Sequence, residues 1–315
     1  MIRRKLGNSG LETAPLAFGG NVFGWSVSEA DSFRLLDRFV EAGFNLIDTA
    51  DVYSNWVAGN QGGESETIIG RWMKLRGNRS KVIIATKVGW KMSEEKKGLA
   101  PAYMQQALED SLRRLGTDYI DLYQSHADDP ATPQLDTLQT YARFIREGKV
   151  RAIGASQFSA TRLREALDLS REHGLPRYET LQPGYNLHDR AGFEAELAPL
   201  CRERGLGVIS FASLARGFLT GKYRSAADLV ERTRSPWVKD LLTERGFRIL
   251  AALDDVAARY KATPAQVSLA WLMAKPGLTA PIAGATSIAQ LDELMGATRL
   301  ALDADAMALL DKASA

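Results

Sequence analysis

The chain has 315 residues, 45% of them hydrophobic and 25% charged, enough apolar material for a buried core and too much for a disordered polymer. Forty basic residues against 38 acidic ones are dispersed along the chain, with no basic stripe of the kind that grips phosphate backbones, so nucleic acid is not an expected partner. The single cysteine excludes an internal disulfide and fits a reducing compartment.

The N-terminal residues Met1 to Leu6 form no signal-like apolar run, and no later stretch approaches about 18 uninterrupted apolar residues, which predicts a cytoplasmic protein without a membrane partner. Residues 3–6 and 11–14, joined by Gly7-Asn8-Ser9-Gly10, read as a hairpin. Short apolar or β-branched runs then recur at 16–20, 44–50, 81–88, 119–126, 150–156, 179–186, 207–213 and 278–284, each followed by a segment with helical spacing. Glycines at 43, 116 and 148 stop three of the helices. A further helix is read over 194–204 around Cys201, and 221–260 reads as an insertion after strand seven.

Apolar strands without alternation are buried on both faces, and their alternation with helices implies parallel pairing. Eight such units predict a closed (β/α)8 barrel with an N-terminal hairpin across its bottom, and 1–315 reads as one barrel domain. The open dinucleotide-binding sheet is the competing α/β architecture, but its G-x-G-x-x-G spacing is absent from the sequence.

In such barrels reactive groups project from the C-terminal ends of the strands. Strand two ends in Asp48-Thr49-Ala50-Asp51-Val52-Tyr53, strand three in Thr86-Lys87 and strand four in Ser125-His126. Each residue alone has an ordinary structural reading: a turn carboxylate, a rim aromatic, a strand-end lysine, a satisfied histidine. Together, at three adjacent strand ends, they form an acid apparatus. A lysine beside a phenol strengthens it as an acid, Asp48 balances the lysine, and His126 orients an oxygen. No side chain delivers a hydride, so carbonyl chemistry here implies a nicotinamide or flavin. The rival chemistry is a Schiff-base aldolase with Lys87 as nucleophile.

These motifs resemble the aldo-keto reductases, and the resemblance runs from the hairpin to Gln290. It implies reduction of aldehydes or ketones, possibly aldoses, with Tyr53 as proton donor, Lys87 and Asp48 tuning it, and His126 guiding the carbonyl. NADP(H) is the implied cofactor, with NAD(H) the alternative. On the same resemblance Gly20, Asn21 and Asp48 contact the cofactor, Ser156, Gln157 and Gln182 hold the nicotinamide amide, and Phe211 stacks on the ring. Ala212, Leu214, Arg216, Gly217 and Lys222 form the pyrophosphate loop, and Gly284, Thr286, Gln290 and Glu293 grip the adenosine end at a helix start. Two departures stand out: Gln157 replaces the usual Asn, and Gly284, Thr286 and Gln290 stand where many relatives place a cation, leaving the Thr286 and Ser287 hydroxyls with backbone donors, or Arg232 or Arg234 from the insertion, to hold a 2′-phosphate. Some members of the family are channel-associated subunits, which makes a cofactor-binding regulatory role the second alternative.

Phe23, Trp25, Trp56 and Trp90 are expected to wall a substrate pocket. The glycine-rich stretch 55–64 reads as a mobile loop whose polar side chains suit a hydroxylated, sugar-like substrate. His173 reads as a helix-end contact, and with three histidines and one cysteine at no metal-ligand spacing, no metal is expected.

Overall fold

The structure, a computed structural model, describes residues 2–229 and 235–315. Eight strands, β3 (Ala17–Gly19), β4 (Leu46–Asp48), β5 (Ile83–Val88), β6 (Ile120–Ser125), β7 (Val150–Ser156), β8 (Tyr178–Gln182), β9 (Gly207–Ser210) and β10 (Leu278–Ala283), close in sequence order into a barrel, β10 pairing with β3. Every pair in it is parallel. The fold is the (β/α)8 barrel, and all eight expected runs are strands of it.

Burial on both faces explains why the runs are apolar throughout. Ala17, Leu46, Ile83, Ala85, Leu122, Ala152, Ile209, Ala280 and Ile282 fill the barrel interior. Their neighbours Phe18, Ile47, Ile84, Tyr123, Ile153, Leu181 and Val208 turn outward into the layer of helices.

The hairpin strands β1 (Arg4–Lys5) and β2 (Glu12–Thr13) pair antiparallel, with Arg4 opposite Thr13. They sit against the N-terminal ends of the strands: Thr279 Oγ1 donates to the Lys5 carbonyl at 3.1 Å, and Leu6 joins the interior cluster as a plug. Gly7 makes this approach possible. Its φ is +60°, and a Cβ there would lie 2.1 Å from the Glu179 carbonyl oxygen.

The helices are α1 (Glu29–Glu41), α2 (Glu64–Arg76), α3 (Pro101–Leu115), α4 (Gln134–Arg146), α5 (Ala160–Glu172), α6 (Ala198–Arg204), α7 (Glu244–Tyr260), α8 (Pro264–Ala274), α9 (Ile288–Gly296) and α10 (Ala304–Ser314). Side chains cap several starts; Ser28 accepts from Asp31 N, and Ser159 from Arg162 N. Gly116 ends α3 at φ +62°.

Two expectations are corrected. The helix read over 194–204 starts as a π turn, Phe193–Leu197, before α6. The insertion read as 221–260 is shorter, because α7 is a regular amphipathic helix whose Ile249, Leu250, Leu253 and Val256 are buried in the main core. Before α7, among the described residues of 221–229 and 235–243, short 3-10 turns run over Ala226–Leu229, Ser235–Trp237 and Lys239–Leu241. Cys201 is buried, and burial pushes its thiol up to about 12, so it fills space. Among the described residues no helix is long and apolar enough to cross a membrane.

Candidate active site

β4 and β5 run in register with Asp48 opposite Ala85, which sets Lys87 two residues further along, above Asp48 at the barrel mouth. The chain leaves β4 in a tight turn tied to β5: Thr49 N donates to Ala85 O at 2.8 Å and Asp51 N to Lys87 O at 3.2 Å. That turn swings Tyr53 back over the strand ends.

The Lys87 ammonium is fully buried and uses all three donors, to Asp48 Oδ2 at 2.8 Å, Thr49 O at 2.7 Å and Tyr53 Oη at 3.0 Å. Tyr53 Oη also donates to Asp48 Oδ2 at 3.2 Å. The other Asp48 oxygen accepts from Gln182 Nε2 at 2.8 Å, and Gln182 Nε2 lies 3.3 Å from Gln124 Oε1. Asp48 is therefore the hub of a buried network, with both of its own oxygens engaged and only the outlying Gln124 Nε2 left without a partner in that chain of contacts.

Burial, then Asp48, holds the Tyr53 phenol well above its ordinary value, so the proton is in place at neutral pH. Burial pulls Lys87 below its ordinary value while Asp48 opposes it. His126, on the loop just after β6, is driven well below the usual imidazole range by burial and then by the Lys87 charge, so its ring is neutral and offers one N–H. Its ring centroid is 6.0 Å from that of Tyr53. Its Nδ1 is buried without a partner.

The structure brings Asp48, Tyr53, Lys87 and His126 into one cluster. The aromatic wall is rearranged relative to expectation. Trp56 packs edge-on against Tyr53 at 6.2 Å and against Trp25 at 5.6 Å, while Trp90 lies 5.2 Å from His126. Phe23 does not belong to this wall: it is fully buried and stacks on Phe18 at 5.3 Å. Its place is taken by Trp237, from the segment after β9, whose ring meets Trp25 at 5.9 Å and is 49% exposed. Sequence reading missed Trp237 because it is 212 positions from Trp25. The loop 55–64 is fastened rather than free. Asn60 Nδ2 donates to Gly24 O and Ser54 O, each at 3.0 Å, and Glu64 accepts from Gln61 N and Gly62 N.

Several further residues lie beside the cluster. Gly20 packs so closely that a Cβ would meet Ser65 Oγ at 2.9 Å and Asp48 O at 3.0 Å. Asn21 follows it in the same turn, partly exposed. Ser156 Oγ donates to Gln182 O at 2.9 Å, and Gln157, at φ +56°, sends its amide to His126 O at 3.1 Å. Phe211 is half-buried over Gly184, whose Cβ would lie 3.2 Å from the ring.

After β9 the backbone turns left-handed repeatedly, at Ala212 (φ 51°), Ala215 (φ 45°), Arg216 (φ 58°) and Gly217 (φ 97°). The run is a tight turn closed by Ala215 N donating to Ala212 O at 2.7 Å and Gly217 N to Leu214 O at 2.8 Å. Leu214 precedes the turn half-buried, Lys222 lies across Gly217, and Arg216 Nη1 donates to Trp237 O at 3.3 Å. At the other end of the mouth, Gly284 packs on Gly19, and Ser287 caps α9. Gln290 Oε1 accepts from Thr286 N at 2.9 Å and Thr286 Oγ1 at 3.0 Å, while Glu293 lends its carbonyl to Gln266. Arg232 and Arg234 lie outside the described residues. A cavity of about 290 Å³ lined by Tyr185, Arg190, Glu194, Arg202 and Lys275 contains none of the site residues.

The lysine, carboxylate and phenol lie buried at the C-terminal mouth of a parallel barrel, the face at which barrel enzymes carry their active sites. Residues 15–315 match the Aldo/keto reductase family, and the chain belongs to that family. It is similar to Protein tas of Escherichia coli (strain K12), 34% identical across 99% of this chain and 97% of the relative. The same identity holds for the uncharacterized oxidoreductase YrpG of Bacillus subtilis (strain 168), over 97% of this chain and 94% of the relative. Family and relatives together support an oxidoreductase function.

Proposed function

We propose that the protein reduces aldehydes or ketones to alcohols with a nicotinamide dinucleotide, Tyr53 giving the proton. The observation that carries this reading is the single contact set around Tyr53 Oη: a phenol kept protonated by burial, with an ammonium 3.0 Å away. Such a pair keeps the proton until the substrate needs it and then stabilises the phenolate.

Features of the chain fit a dinucleotide: the left-handed run 215–217, whose Gly217 could not carry a side chain without displacing Lys222, and the half-buried Phe211 ring backed by Gly184. Phe211, Ser156, Gln157 and Gln182 would hold the nicotinamide, Ala212 to Gly217 with Lys222 the pyrophosphate, and Gly284 to Glu293 the adenosine end. The bound nicotinamide supplies the hydride. As the carbonyl carbon is reduced its oxygen would take the proton from Tyr53 Oη, and the phenolate left behind would be stabilised by Lys87 and reprotonated from solvent. The neutral His126 donates a hydrogen bond to the same oxygen. Trp25, Trp56 and Trp237 shield the mouth from water.

The Schiff-base alternative finds no support in this geometry, since an ammonium with all three donors engaged has no free lone pair for attack.

Trp56→Ala is expected to raise KM for flat aromatic aldehydes roughly 2- to 10-fold, the weight of a ring contact, while leaving kcat nearly unchanged. Steady-state kinetics on aromatic and small aliphatic aldehydes check this; equal effects on both would contradict a stacking wall. The cofactor preference is tested at Gln290. NADPH is the expected reductant, held by backbone and hydroxyl donors, so Gln290→Arg should tighten NADPH over NADH by about 10-fold, one charge-assisted hydrogen bond. Fluorescence titrations with both cofactors read the ratio, and an unchanged ratio would move the 2′-phosphate site away from α9.

The proposal as a whole is tested by titrating the protein with NADPH and NADH, then following absorbance decay with a panel of aldehydes, ketones and aldoses. Binding with turnover supports it. Binding without turnover on any carbonyl would favour the regulatory-subunit alternative, and no binding of either cofactor would overturn the proposal.

A further inference from the structure

One buried acid beside the site has no part in the proton transfer just described. Asp51 lies on the turn between β4 and α2 and is 1% exposed; its carboxyl oxygens make no well-formed hydrogen bond, and the donors that face them are the Val52 N–H and the Tyr103 phenol, neither of them a cation. Its backbone N–H is fastened to Lys87 O at 3.2 Å, so its side chain is fixed beside the strand end that carries the ammonium.

The charged and titratable groups that act on it come from every neighbouring element. Glu66 belongs to α2, Tyr103 and Arg114 to α3, Lys87 to β5, Tyr123 to β6, and Tyr53 to its own turn. Both cations are already engaged. Arg114 Nε bonds Glu66 Oε2 at 2.7 Å, with the other Glu66 oxygen accepting from Thr86 Oγ1 at 2.5 Å. Lys87 spends its three donors on Asp48, Thr49 and Tyr53. An ionised Asp51 would thus be a buried charge without a cation of its own, next to a second buried carboxylate. Burial first, then Glu66, pushes its carboxyl up to about 8, with Arg114 opposing.

We infer that Asp51 is held as a neutral carboxylic acid and serves as a positioning residue, one that leaves the Lys87 charge to Asp48 and Tyr53. The part of this inference that concerns the donor rests on the reading of Tyr53 as proton donor. Ionised, Asp51 sets another negative charge against the ammonium and the phenol, which makes the phenol a weaker acid. Carbonyl reduction therefore slows as pH rises through the titration of Asp51.

The test compares the full-length protein with Asp51→Asn, which keeps the shape of the protonated acid. The first readout needs no activity. A folded carboxyl at about 8 against an unfolded one near the ordinary value of about 3.9 means that the folded state holds the extra proton between them, so stability falls as pH climbs through that window. Thermal unfolding between about pH 5 and pH 8 should show the Asn variant losing less Tm than the parent. Parallel curves would overturn the inference.

The second readout is kcat for carbonyl reduction. The parent should lose roughly 5-fold between neutral and alkaline pH, while Asp51→Asn keeps its neutral rate and lacks that limb. A variant inactive at pH 7, or one that keeps the limb, would overturn the positioning role. If the parent turns over no carbonyl at all, the Tyr53 reading fails by itself and the unfolding curves still decide the protonation state of Asp51. Should Asp51→Asn not fold, infrared spectra of the parent serve: a carboxylic-acid carbonyl band present near pH 6.5 and lost near pH 9 is the expected result, and its absence near pH 6.5 would overturn the inference.

Discussion

Tyr53→Phe is expected to lose carbonyl turnover by roughly 10²- to 10⁴-fold, the range of a positioned general acid, while binding cofactor as the parent does. The substitution removes one oxygen and leaves the ring packed against Trp56. It also deletes an acceptor of Lys87 and a donor to Asp48, but those two keep their own 2.8 Å contact, so the fold should survive. Single-turnover absorbance decay with bound NADPH separates the chemical step from binding. A variant that reduces aldehydes at the parental rate would remove Tyr53 from the mechanism.

Lys87→Met is expected to fail in two ways at once. Turnover should fall by about 10²-fold or more, because no cation is left to stabilise the phenolate. Stability should fall by about 3–5 kcal/mol, because Asp48 is left as an uncompensated buried charge. The double variant Asp48→Asn with Lys87→Met separates these effects. It removes both charges, so calorimetry should show much of the stability recovered while turnover stays low. Recovery of turnover in the double variant would mean that the pair is structural only.

Much of the barrel was legible in the sequence because strands buried on both faces leave continuous apolar runs. Residues 81–88 and 278–284 are clear cases, with Ile83–Val88 and Leu278–Ala283 observed. The ends were less legible. The run 44–50 is regular strand only over Leu46–Asp48, since the chain turns sharply there while still bonding to β5 through Thr49 and Asp51.

The clustering of Asp48, Lys87 and His126 was readable because each stands at the end of a run on adjacent strands, and Tyr53 follows Asp48 by only five residues on the turn that leaves β4. Contacts between remote segments were not. The bond from Gln182 to Asp48 joins residues 134 apart, and nothing in the local pattern around either announces it. Phe23 and Trp237 show the same limit from opposite sides. An aromatic next to the mouth in sequence turned into the core, and one far from it in sequence came to Trp25. The insertion was overextended to 260 because a helix packed on its apolar face was counted as loop.

The most direct test of the account is to supply NADPH carrying deuterium at the nicotinamide C4 position, in each of its two stereochemical forms, together with an aromatic aldehyde, and to weigh the alcohol formed. One form should place deuterium on the carbinol carbon and the other should not, with product formation slowed by the same roughly 10²- to 10⁴-fold in Tyr53→Phe. Alcohol without deuterium from either form, or no alcohol at all, would contradict hydride transfer as the work of this barrel.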